Sequence, residues 1–313
     1  MQQTGREKER NEEDKDYVPV IIKRTDEALR HPDDILGKAI KDGIEQLDRG
    51  FLSLLLSAMA AGLILGFTAM SVAIAESQML LLDPIYFARL ATALVYPLGF
   101  VLCIMSGTQL FTEHTATAVY PVLDRKSSVK KMVRLWLIVL AGNLLGAIVC
   151  SVFLLQAEDV INAKPGFIQI GKHLVNYGLK PLFFSAMLAG WLMALGAWLI
   201  KATSSALSQM ASIYIVTFII GIGGLHHSIA GSVEMFSAYL ISDVFNIPQV
   251  LRFVVITVVG NLIGGSIFVA LLNYGHIRKT QKTEEKEEAP LSSTPEKTGQ
   301  CRQDCSAKAK RKE

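Results

Sequence analysis

The stretch Gly221-Ile222-Gly223-Gly224-Leu225-His226-His227-Ser228-Ile229-Ala230-Gly231 sets two adjacent imidazoles among glycines, between the apolar runs 213–220 and 233–241. Each run alone is too short to cross a bilayer. Together they reach the roughly 20 residues a helix needs for about 30 Å of hydrocarbon. The segment therefore reads as a transmembrane helix broken near its middle. Backbone that leaves the helix at membrane depth survives only where protein buries it or where it lines a wet cavity, and ionisable groups there are functional candidates. The alternative is a glycine-kinked helix whose two histidines pack for structure.

Working outward, charge separates a membrane domain from its flanks. Residues 1–50 carry 10 Lys/Arg and 13 Asp/Glu, and residues 276–313 carry 10 and 7, which leaves 11 and 8 for residues 51–275. Hydropathy predicts crossings at 51–75, 86–107 (completed by a short helical piece after Thr112), 132–155, 182–200, the broken 213–241, and 250–274. The fold class is thus all-α integral membrane with six transmembrane helices, and an even number of crossings puts both termini on one side. Arg125, Lys126, Lys130, Lys131 and Arg134 cluster in one loop, whereas 76–83 holds two acids and no base. The positive-inside rule makes the termini and that basic loop cytoplasmic. Lys164, Lys172 and Lys180 run against the rule, unless the long third loop folds over the outer face.

The flanks carry little chemistry. A formal charge of +3 with interleaved signs gives no nucleic-acid footprint, and contact with lipid accounts for the basic residues. Residues 1–20 and the 276–313 tail read as disordered. Residues 26–49 read as an amphipathic helix on the cytoplasmic face, with Ala28, Leu29, Ile35, Leu36, Ala39, Ile40, Ile44 and Leu47 at helical spacing, Pro32 in the first turn and Asp33-Asp34 at its positive end. Its expected partners are the membrane domain's own loops or a neighbouring subunit. Cys301 and Cys305 form a weak C-x3-C, the cysteines make no disulfide framework, and neither a cofactor nor a metal is expected.

An internal repeat organises the membrane domain, with copies at about 51–155 and 182–275. Ser57-Ala58-Met59-Ala60-Ala61-Gly62 recurs as Ser185-Ala186-Met187-Leu188-Ala189-Gly190, and Gly142-Asn143-Leu144-Leu145-Gly146-Ala147 recurs 118 residues on as Gly260-Asn261-Leu262-Ile263-Gly264-Gly265. Small residues let helices approach closely, and the Asn143 and Asn261 amides can bond across helices. Three crossings per copy invert the second against the first, an arrangement of transporters and channels. An offset of 118 carries His227 and Ser228 onto Gln109 and Leu110, inside the glycine-led polar stretch Ser106-Gly107-Thr108-Gln109-Leu110-Phe111-Thr112-Glu113-His114-Thr115. Both middle helices are thus predicted to break, with half-helix positive ends facing inward, where they attract anions.

These motifs resemble those of the formate/nitrite transporter family: Leu110-Phe111-Thr112, the Gly142–Ala147 and Gly260–Gly265 stretches, and His227-Ser228-Ile229-Ala230. The resemblance implies an aquaporin-like inverted repeat with broken second and fifth helices, a homopentamer with one pore per subunit, and passage of a small monovalent anion through a bacterial inner membrane. It makes His227 the pore histidine, Leu110-Phe111-Thr112 the constriction loop, and Thr112 the hydroxyl facing the histidine. Three positions depart from the family pattern. Counted from Trp198, its lysine falls on Gln209; its glutamate before the histidine is His226; and its asparagine four residues on is Gly231. Glu113, His114 and Glu234 are further ionisable residues near the breaks.

A charge at the bilayer centre costs at least about 2.5–3.5 kcal/mol, and Leu110-Phe111 offers it little. His227 either shares a proton with a weak acid so that it crosses neutral, or stays neutral and only donates a hydrogen bond. An ammonium-type channel is the main alternative, although neighbours on a helix point about 100° apart, so His226 and His227 would not line one pore together. A membrane metalloenzyme using Glu113, His114, His226 and His227 is a remote one.

Overall fold

The structure, a computed structural model, describes residues 29–81 and 86–288, and these are helical with no strand among them. Residues 1–20 and Cys301/Cys305 lie outside the described residues. The chain divides after Ile277, and the site lies in the unit before that point.

Helix α1 (Pro32–Asp48) precedes the first crossing, formed by α2 (Phe51–Ile64) and α3 (Gly66–Met79). The second crossing contains α4 (Tyr86–Val95), α5 (Pro97–Met105) and, after a break, α6 (Phe111–Leu123). The third is α7 (Val129–Gln156), and α8 (Glu158–Ile161) with α9 (Lys164–Val175) connects it to the fourth, α10 (Leu179–Lys201). The fifth is α11 (Ala206–Gly223) and α12 (Ser228–Ile241), and the last is α13 (Ile247–Gly265), a π-helical turn (Ser266–Leu271) and α14 (Leu272–Glu288). Among the described residues, six helices are long and apolar enough to cross a membrane. Their outward faces carry exposed Leu56, Phe67, Leu137, Phe153 and Leu251, which hydrocarbon solvates and water would not.

Two expectations need correction. The run before the fifth-helix break is not too short to cross. The polar residues ahead of it join the helix once the Ser205 hydroxyl caps it by accepting from the Ser208 N–H, giving 18 residues in α11. Placed end to end, α11 and α12 would extend roughly 48 Å, more than the hydrocarbon thickness of about 30 Å, so the two halves do not fit across it as one upright helix. Nor are residues 276–288 structureless, because α14 continues to Glu288.

Close packing follows the small residues. A Cβ on Gly142 would meet the Ala58 side chain at 2.5 Å, and one on Gly146 would strike the Met59 carbonyl; in the second copy Gly260 meets Ala186 at 2.6 Å and Gly264 the Met187 carbonyl. Both copies thus bring their third helix onto their first through glycine, at distances no side chain permits. Helix α1 buries Ile35, Leu36, Ala39, Ile40 and Leu47, and its partner is the half-helix α6: a Cβ on Gly43 would meet the Thr117 carbonyl and the Pro121 ring. Asp42 pairs with Lys201 at 3.3 Å and tethers α1 to the end of α10.

Candidate functional site

Each break opens with a glycine in the left-handed region, Gly107 at φ 70° and Gly224 at φ 59°. Side chains rarely adopt that conformation, and it turns the chain sharply out of the preceding helix. Three residues further on in each copy, an extended residue starts a half-helix: Leu110 (φ −91°, ψ 127°) before α6 and His227 (φ −88°, ψ 129°) before α12. The breaks are therefore related by 117 residues, not 118, so His227 corresponds to Leu110 and Ser228 to Phe111. The offset read from the asparagines slips by one because the half-helix between break and asparagine is one residue longer in the second copy, 14 residues in α12 against 13 in α6.

One asparagine clamps each break. The Asn143 side-chain oxygen accepts the Phe111 N–H at 2.8 Å, and its amide donates to the Ala58 and Gln109 carbonyls, each at 2.8 Å. Asn261 accepts the Ser228 N–H at 2.7 Å and donates to the carbonyls of Ala186 at 2.7 Å and His226 at 3.1 Å. Backbone groups that leave helical pairing in a buried place need such partners.

The half-helix beginnings meet through Thr112 and His227. Both side chains are buried, with Thr112 Oγ1 and His227 Nε2 2.7 Å apart. Nδ1 of His227 caps α12 by accepting from the N–H groups of Ile229 (3.3 Å) and Ala230 (3.1 Å). A nitrogen facing two donors carries the lone pair, so the proton resides on Nε2 and is donated to Thr112. Phe100 packs edge-on against the imidazole at 5.0 Å, and Tyr96 lies 5.2 Å beyond Phe100. Leu110 and Phe111 are buried beside the bond; Leu110 gives α6 no side-chain cap, and the positive end of that half-helix meets only the Asn143 oxygen and Glu113 in its first turn.

His226 faces elsewhere. The two histidines stand in the non-helical break ahead of α12, with His227 on extended backbone, so they are not set a 100° helical step apart. The Ser185 hydroxyl accepts the His226 N–H at 3.2 Å and shares a hydrogen bond with Nδ1 at 2.7 Å, leaving Nε2 without a partner. The ring stacks on His173 at 5.3 Å and 3°, and Tyr177 stands edge-on to both. His173 lies outside the crossings, on α9. Burial holds its pKa below the usual value; the hydrogen bond to the Gly224 carbonyl opposes that shift and the Arg89 charge adds to it.

Gln209 does not reach the site. It lies in the first turn of α11, far from the break at that helix's other end, and its amide donates to the carbonyls of Ile200 (3.2 Å) and Thr203 (3.0 Å), closing the end of α10. At Gly231 the ring of Phe253 fills the space an asparagine would take, 2.6 Å from a Cβ. His114 Nδ1 bonds the Leu110 carbonyl at 3.0 Å inside its own helix, and Glu113 is in the first turn of α6. Ser228 is buried with an unpartnered hydroxyl. Among the described residues, no group of three His, Cys, Asp or Glu side chains could hold a metal ion. Phe100, His173, Tyr177 and Ser185 complete the surroundings of the two histidines. Their sequence positions give no sign of it, except that Ser185 opens a repeated motif.

Residues 33–275 match the family described as formate/nitrite transporter. The chain belongs to the formate/nitrite transporter family. The "Inner membrane protein YfdC" of Escherichia coli (strain K12) is 31% identical over 253 residues, covering 80% of each chain. Among solved structures, an "FNT family ion channel" superposes with a TM-score of 0.69 at 19% identity, over 79% of this chain and 98% of that one. A "Pentameric formate channel with formate bound" does so with a TM-score of 0.61 at 21% identity, over 73% and 98%. At those identities the likeness shows the fold, and the fold is that of a formate/nitrite transporter: a multi-pass, all-α membrane protein whose second and fifth helices are broken.

Proposed function

We propose that the chain forms a pore for small monovalent anions of weak acids, of the formate or nitrite type, and that it is a channel or transporter and not an enzyme. The observation that carries this reading is the Thr112–His227 bond, which closes the gap between the beginnings of α6 and α12. Two positive half-helix ends converging on one buried spot favour an anion. A Thr112 hydroxyl that accepts from His227 retains its own proton to donate to an oxyanion. Leu110 and Phe111 form the apolar neck beside it, and Ser228 supplies a second buried hydroxyl. No lysine stands at the break, and selection for an anion here rests on helix ends, hydroxyls and the Arg89 guanidinium beside Gly224.

The assembly we propose is a homopentamer in a bacterial inner membrane with both termini cytoplasmic. Support comes from the pentameric formate channel of the same fold, the inner-membrane relative and the basic loop at 124–134. Flux of formate, nitrite, hydrosulfide, acetate and ammonium into proteoliposomes tests the reading. Formate or nitrite should enter faster than ammonium, and Thr112→Val should slow the anions in an intact oligomer. Ammonium flux without anion flux overturns it.

A further inference from the structure

We propose that Glu234 is the proton-carrying group of this pathway, handing a proton to the anion before it meets the apolar neck. The inference deepens the anion-pore reading and rests on it. His227 is poorly placed for that task. Its Nδ1 already accepts two backbone N–H groups and its Nε2–H is donated to Thr112, so a second proton would point N–H at N–H and release the cap of α12.

Glu234 lies seven residues beyond His227 on α12, about 10 Å further along the axis by helical rise. It is buried, at 5% exposure, beside the fully buried Ser232 and Ser237. Among the described residues no donor or cation meets its carboxyl. Tyr96 is within electrostatic reach, and the rings of Tyr96, Phe100 and His227 form a continuous row that starts at the pore bond.

The other titratable groups on the elements around α12 are engaged or distant. Cys150 of α7 packs at Gly66, behind Val233, and Glu76 stands ten residues beyond Gly66 on α3. Arg252 of α13 donates to the Val175 and Tyr177 carbonyls. His173 of α9 is stacked on His226, Lys164 and Lys172 of the same helix are exposed, His114 of α6 bonds Leu110, and Glu113 is in the first turn of α6. An ionised carboxylate would stand at Glu234 desolvated and without a counter-charge, so the site accommodates the neutral acid.

The step balances simply. The Glu234 O–H bond breaks as an O–H bond forms on the incoming anion; the neutral acid passes Leu110 and Phe111, and the carboxylate takes a proton back from water on its own side.

The test pairs transport with spectroscopy on the reconstituted full chain. Wild-type formate flux should rise on acidification and carry protons with it. In Glu234→Gln, flux should fall well below wild type and what remains should lack the pH dependence and the proton movement, and Glu234→Asp should restore part of each. Infrared difference spectra of the purified protein between acidic and alkaline pH should show a protonated carboxyl that is missing from Glu234→Gln. An unchanged proton-to-formate ratio in Glu234→Gln, or no such carboxyl signal in the wild type, overturns the proposal. If the wild type moves none of the anions, it is the pore reading that fails, while the infrared signal still decides whether Glu234 holds the proton. Size-exclusion profiles matched to wild type identify the folded variants, and Glu234→Asp serves if the glutamine variant does not assemble.

Discussion

Asn143 and Asn261 do the same work in the two halves of the molecule: each accepts one N–H from the start of a half-helix and donates to two carbonyls, one of them in the break and one in the first helix of its own repeat. An inverted repeat thereby becomes two breaks held at matching heights, so that Thr112 and His227 can meet.

Replacing either asparagine by alanine leaves a buried N–H and two carbonyls without these partners, at about 1–3 kcal/mol for each group left unsatisfied. Asn143→Ala and Asn261→Ala should each lower the thermal midpoint in detergent and reduce anion flux, to similar extents. A full-flux, full-stability Asn261→Ala would show that its break is held by other contacts.

His227→Ala removes the cap of α12 and the donor to Thr112. Loss of such a cap costs about 1 kcal/mol. The variant should assemble, melt slightly earlier and conduct anions more slowly, yet retain the pH dependence that belongs to Glu234. His226→Ala should change rate less, since its ring is engaged with Ser185, His173 and Tyr177. Stopped-flow flux at several pH values measures both, and loss of the pH dependence in His227→Ala alone would return the proton to the histidine.

Gly146→Leu and Gly264→Leu drive a side chain into the backbone carbonyls of Met59 and Met187, whereas a Cβ on Gly37 meets nothing within 4 Å. The two leucine variants should fail to yield a monodisperse protein, and Gly37→Ala should match wild type in size-exclusion chromatography. A well-behaved Gly146→Leu oligomer would contradict the close approach of α2 and α7.

Acid should loosen the stack of His173 on His226. The folded-state pKa of His173 is lowered, chiefly by burial, so below the ordinary histidine value of about 6.5 the unfolded chain binds a proton that the folded one refuses. Stability therefore rises with pH through this window and is lost as pH falls below it. His173→Phe should flatten that part of the slope in melting curves taken from about pH 7 to about pH 5. An unchanged slope would mean that other groups set the acid sensitivity.

A cysteine introduced at Ser127, in the basic loop after α6, should react with an impermeant maleimide only from the cytoplasmic side. Reaction from the periplasm alone reverses the proposed orientation.

Length, hydropathy and the repeated Gly-x-x-x-Gly and asparagine motifs were enough to determine an all-α membrane domain of six crossings with two broken helices, because apolar length against bilayer thickness and small residues against helix separation are properties that each segment carries by itself. The break at 221–231 announced itself through glycine and imidazole in an apolar setting, and the pairing of His227 with Thr112 came through the family resemblance. Tertiary structure alone decided the rest. Gln209 occupies the position counted as the missing lysine, yet it closes a helix end far from the break, because residue counting along a chain does not register where a helix begins. His226 stacks on His173 from a separate helix across the fold, and Asn143 clamps Phe111 from another crossing. Hydrogen-bond partners and stacking partners are set by which backbones meet in space, and these pairs stand tens of residues apart in the chain.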